Sequence, residues 1–108
     1  MKSKKRLQRI LSEYRERLYK LLGDDLDSVI LFGSQARGDA EERSDIDVLC
    51  VMRGPINYSE LITRTSEATA EISLKYDVVL SRSFTSLENY KSRQSPFLMN
   101  VRREGMPV

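Results

Sequence analysis

VILFGSQARGDAEERSDIDVLCVM, residues 29–52, is the stretch on which the reading of this chain turns. An apolar run over residues 29–32 breaks at Gly33-Ser34, a polar loop follows, and the chain re-enters a hydrophobic segment through Ser44-Asp45-Ile46-Asp47-Val48. Two carboxylates thus stand one residue apart in what reads as a buried strand over residues 46–52. Strand side chains alternate faces, so Asp45 and Asp47 point the same way with Cα atoms about 6.5–7 Å apart. Two such charges at contact range repel by roughly 4 kcal/mol at an effective dielectric near 20. A divalent cation held between them is the physical reason to place them there.

The bulk composition limits the chemistry. At 108 residues, 40% hydrophobic and 31% charged, the chain reads as one soluble α/β domain over residues 1–108. It has no histidine, which removes histidine triads, histidine bases and Cys/His zinc sites. Acid–base or metal chemistry must therefore come from carboxylates. Its one cysteine, Cys50, sits inside an apolar run and reads as a small core residue. The N-terminus has no apolar signal core and no run reaches membrane-spanning length, so the expected compartment is the cytoplasm. The net charge is only +2, and the basic residues of the first helix alternate with Glu13 and Glu16, as on a solvated face rather than a nucleic-acid patch.

Working outward, residues 4–22 carry Leu7, Ile10, Leu11, Tyr14, Leu18, Leu21 and Leu22 at helical spacing, with Ser3 as a start signal and Gly23 as a stop. Residues 24–27 read as an acidic connector, residues 29–32 as the first strand, and Asp39 to Arg43 as a solvated loop. Asn57 with Glu60 marks the start of a helix reaching about Ala70. The alternation of Ile72, Leu74, Tyr76, Val78 and Leu80 against Ser73, Lys75, Asp77, Val79 and Ser81 predicts a third strand. Asp77 then becomes a mid-strand acid that either pairs with Lys75 or joins Asp45 and Asp47. A short helix is expected from Ser83 or Thr85 through Tyr90, and a last one from Ser95-Pro96 to Gly105. Together these elements predict an α+β fold with a small mixed sheet of three to four strands packed with helices.

Gly33-Ser34, ten intervening residues and then Asp45-Ile46-Asp47 resemble the signature of the nucleotidyltransferase superfamily typified by DNA polymerase beta. The fuller string GSQARG followed by SDID, together with the ending Ser95-Pro96-Phe97 and NVRREG, is similar to its minimal nucleotidyltransferase branch. The resemblance implies the nucleotidyltransferase fold, ATP as nucleotide donor and two magnesium ions. It implies that Gly33 and Ser34 hold the β- and γ-phosphates and that Asp45, Asp47 and Asp77 are the catalytic, metal-binding acids. It also implies that Arg37 contacts a phosphate. Two magnesium ions about 4 Å apart can clamp the attacking and leaving oxygens of such a transfer.

The resemblance further implies a separate helical partner, a HEPN-domain protein of a toxin–antitoxin pair, with a tyrosine of the toxin as AMP acceptor and this chain as antitoxin. Two alternatives stand beside that expectation. The chain could silence its partner by contact alone, or it could transfer to a small molecule or RNA with the acceptor pocket built across a homo-oligomer.

Overall fold

The computed structural model describes residues 4–38 and 45–108. Helix α1 spans Lys4–Leu22 and buries Ile10, Leu11, Tyr14, Leu18 and Leu22. Most of the expected stripe is inside, while Leu21 stays exposed. Gly23 follows with φ 60° and opens a 3-10 turn, Gly23–Asp25. Strand β1, Leu26–Phe32, begins three residues before the expected start. A bulge between Leu26 and Ser28 lets Leu26 go into the core while Asp27 meets Arg53 at 3.1 Å. A four-residue helix α2, Ser34–Arg37, leads towards strand β2, Ile46–Met52, whose bounds are as expected. The expected Ser3 cap and residues 39–44 lie outside the described residues.

Helix α3, Tyr58–Tyr76, starts as expected, with the Asn57 side chain accepting from the Glu60 amide. It does not stop near Ala70, which corrects the strand expected over residues 72–81. Its buried positions Leu61, Thr65, Ala68, Thr69 and Ile72 are spaced for a helix, and that stripe runs on through Ile72. Ile72 is 1% exposed and Leu74 83%, a difference that a shared strand face would not allow. The helix ends at Asp77, which takes a left-handed conformation with φ 52°. The Val78 amide reaches back to the Ser73 carbonyl at 3.0 Å, closing the helix end.

Strand β3 is Leu80–Ser86, and Ser86 caps helix α4, Leu87–Ser92, through the Asn89 amide. The short helix thus starts later than expected, because Ser83 and Thr85 belong to the ladder with β2. Helix α5, Pro96–Glu104, has the expected Ser95 cap and leading proline. Strand β4, Met106–Pro107, follows Gly105 and was not signalled by any pattern. A Cβ on Gly105 would lie 2.5 Å from the Val101 carbonyl oxygen and 2.6 Å from Ile30 Cγ2, so glycine is needed there for space.

The sheet order is β3-β2-β1-β4, with β1 antiparallel to β2 and β4, and β2 parallel to β3 across the α3 crossover. α1 and α3 cover one face through a large core that includes Val29, Leu31, Val48, Cys50 and Phe84. α4 and α5 cover part of the other through Ile30, Leu49, Val51, Leu98 and Val101. Tyr14 and Thr69 share a buried hydrogen bond of 2.7 Å between α1 and α3, and ion pairs Arg17–Glu71 and Lys75–Glu13 flank it. Among the described residues no helix is long and apolar enough to cross a membrane.

Candidate active site

The site grows from the two central strands. β1 ends at Phe32, which pairs in register with Asp47 of β2. Residues opposite one another in a sheet share a face, so Phe32, Asp47, Ile30 and Leu49 all point to the α4/α5 side. Asp45, two residues before Asp47 and just outside β2, is exposed, and its charge acts on Asp47. The predicted acid pair is therefore formed at the edge of the smaller core.

Gly33 makes room for it. Its φ is 75°, and a Cβ there would lie 2.6 Å from Asp47 Oδ2. The glycine is thus required twice, by its backbone angle and by the carboxylate packed against it. Its carbonyl then accepts the amides of Ala36 and Arg37, both at 3.1 Å, winding the short helix that starts at Ser34. Gly38, at φ 80°, ends that helix with its amide on the Ser34 carbonyl at 3.0 Å. Gly33, Ser34, Asp45 and Asp47 are thereby brought to one end of the β1–β2 pair.

Asp47 is half-buried, and burial pushes its carboxyl above the usual range, with the neighbouring Asp45 charge adding to the effect. The direction has a simple origin: removing water from an anion disfavours it, and a second anion disfavours it further. A hard divalent cation would reverse both effects. Magnesium is commonly held by one or two carboxylates together with substrate phosphates and water, so this donor set fits it.

Asp77 does not join this pair as expected. It is the exposed closing residue of α3 rather than a mid-strand acid, and no group of three metal-ligating side chains occurs among the described residues. The β3 residue in register with Asp47 is Ser81, so the neighbouring strand presents a hydroxyl on the acid's face. Lys75, the alternative partner for Asp77, pairs with Glu13 at 2.7 Å instead. Arg37 is on α2 near the turn and reaches Glu104 of α5 at 3.4 Å. That partner is 67 residues away in sequence, and no local pattern announces it.

The turn, the paired acids and the mixed sheet define a nucleotidyltransferase-type domain. The chain belongs to the nucleotidyltransferase domain family, whose profile matches residues 9–103. It is 40% identical over 99 residues to MJ0141 of Methanocaldococcus jannaschii, named as a candidate protein adenylyltransferase, covering 92% of this chain and 95% of that one. A crystal structure of a Sulfolobus solfataricus nucleotidyltransferase superposes with a TM-score of 0.66 at 21% identity, over 94% of this chain and 78% of that one. A toxin–antitoxin crystal structure with AMP-PNP superposes with a TM-score of 0.60 at 17% identity, over 87% of this chain and 68% of that one. The family settles the activity as nucleotidyl transfer.

Proposed function

We propose that this protein is a magnesium-dependent adenylyltransferase that moves AMP from ATP onto a tyrosine hydroxyl of a HEPN-domain toxin, and so acts as the antitoxin of the pair. The observation that carries the reading is the Gly33 backbone packed against Asp47, with the Asp45 charge acting on that carboxylate. The relationship to MJ0141 supports protein as the acceptor. The likeness to a chain in a toxin–antitoxin complex with AMP-PNP supports ATP and a toxin partner. The reading requires a compartment holding ATP and magnesium, the cytoplasm.

In this mechanism Gly33 and Ser34 seat the β- and γ-phosphates at the turn where the Gly33 backbone allows close approach. Asp45 and Asp47 would hold magnesium, which would supply charge to offset that on the phosphate oxygens and the leaving pyrophosphate. Arg37 exchanges Glu104 for a phosphate oxygen. The acceptor oxygen bonds to the α-phosphorus as the bond to the bridging oxygen breaks; pyrophosphate leaves and the hydroxyl proton passes to water. The protein's own contribution is positioning and electrostatics. The test is incubation of the purified pair with magnesium and ATP labelled at the α-phosphate. Label is expected on the partner with the intact chain and none with Asp47→Ala. An unlabelled partner, under conditions where the pair binds, overturns the reading.

A second reading, neutralisation by contact alone, draws support from the position of Asp77 away from a three-acid group. Asp47→Ala separates the two in cells. Toxin rescue is lost if the transfer neutralises and persists if contact does, provided the complex still forms.

A further inference from the structure

We infer that the ring of Phe97 is the stacking platform for the purine base of the bound nucleotide, an assignment that rests on the nucleotidyl-transfer reading above. The argument starts at Phe32. Because Phe32 pairs with Asp47 on the same sheet face, its ring borders that acid. Phe97 meets that ring edge to face, with centroids 5.3 Å apart and planes at 85°. An aromatic surface therefore extends from the Asp47 carboxylate outward onto α5.

Phe97 is not needed to anchor its helix. Leu98 and Val101 are buried against Ile30, Leu49 and Val51 and already hold α5 to the sheet. Phe97 itself remains 44% exposed, so a large part of its ring is offered to solvent beside the site. Its support is also fixed. The Ser95 side chain caps α5, while Arg102 donates to the Tyr90 carbonyl at 2.6 Å and the Arg93 carbonyl at 2.9 Å, clamping the link between α4 and α5. A rigidly held, half-exposed aromatic ring is what a flat base stacks on.

The direction is right as well. With the phosphate tail at Gly33-Ser34, the α-phosphate falls beside Asp47, and ribose and base continue over the sheet face that carries Phe32. Phe32 lies on the same sheet face as Asp47, and Phe97 extends its apolar surface from there. Stacking recognises a π-face rather than a hydrogen-bond pattern, so it favours the larger purine ring over a pyrimidine without reading adenine as such.

The test measures binding by calorimetry in magnesium, using the full chain with ATP, CTP and inorganic tripolyphosphate. The intact protein is expected to bind ATP more tightly than CTP. Phe97→Ala should weaken ATP roughly 5- to 150-fold and leave tripolyphosphate within about twofold. Phe97→Leu keeps apolar volume against Phe32, so it should melt near the parent temperature yet lose ATP affinity, and Phe97→Tyr should restore it. The assignment is overturned if ATP binding is unchanged in both Phe97→Ala and Phe97→Leu. It is overturned too if ATP and tripolyphosphate weaken together, since Phe97 would then act by holding the phosphate end. Unchanged ATP affinity with slowed transfer to a protein acceptor would move the ring to the acceptor side and equally reject it. An intact protein that binds neither ATP nor tripolyphosphate removes the nucleotide reading itself.

Discussion

Replacing Asp47 with Asn should make the protein more stable and inactive at once. The carboxylate lies two residues from Asp45 at a Cα spacing of about 7 Å, is half-buried, and is pushed towards its protonated form by burial first and by Asp45 second. At that spacing the repulsion is roughly 0.6 kcal/mol in bulk water and roughly 2.4 kcal/mol at an effective dielectric of 20. With Asp45 exposed and Asp47 half-buried, we take about 1 kcal/mol. For 108 residues the unfolding entropy converts this into a Tm rise of about 4 °C. The sign with pH follows from the direction of the shift. A carboxyl whose folded pKa is raised above the ordinary 3.8 destabilises the fold when it ionises. Below that value both states are protonated and the two proteins should melt together. The gap should open as pH rises through 3.8 and be complete above the raised native value. Calorimetric melts of parent and Asp47→Asn from pH 3 to pH 8, without metal, read this directly. Magnesium with ATP should then raise the Tm of the parent and not that of the variant. A variant that melts lower at neutral pH, or a gap that is constant with pH, would refute the argument that the acid pair is held at a cost to the fold.

Three further outcomes follow from the geometry. Gly105→Ala should lower stability by about 1–3 kcal/mol in urea titrations, because its Cβ would meet the Val101 carbonyl and Ile30. Asp77→Gly should raise stability by about 0.5–1 kcal/mol in the same assay, since glycine adopts the left-handed angle without a Cβ penalty; Asp77→Asn should keep the magnesium and ATP dependence of the melt. Cys50 is buried and its thiol is pushed up to about 12, chiefly by burial, so a thiol reagent at pH 8 should label it only as fast as the protein unfolds.

The acid pair, the glycine turn and the strand that carries Asp47 were legible because each is a local pattern. Alternation needs only a few consecutive residues, and the caps at Asn57 and Ser95 need only four. The same shortness misled at residues 72–81. There Ile72 belongs to a helical stripe, Leu74 is an exposed apolar side chain, and only Leu80 begins a real strand. Period 2 and period 3.6 cannot be separated over such a window when one apolar residue is on the surface. Asp77 was misplaced for that reason, as its left-handed angle depends on where the helix stops. β4 and the Arg37–Glu104 pair were out of reach, because both depend on segments far apart in sequence coming together.

The order β3-β2-β1-β4 has one more consequence. Asp47 belongs to the inner pair of strands and the turn leaves from its end, each inner strand having hydrogen-bonded neighbours on both sides, while β3, β4 and the helix bearing Phe97 form the periphery. Amide exchange should be slowest on the inner pair and faster outward. Mutation can therefore vary the outer pieces while the centre of the sheet keeps its shape, so a lineage of such domains can change clientele without relearning its chemistry.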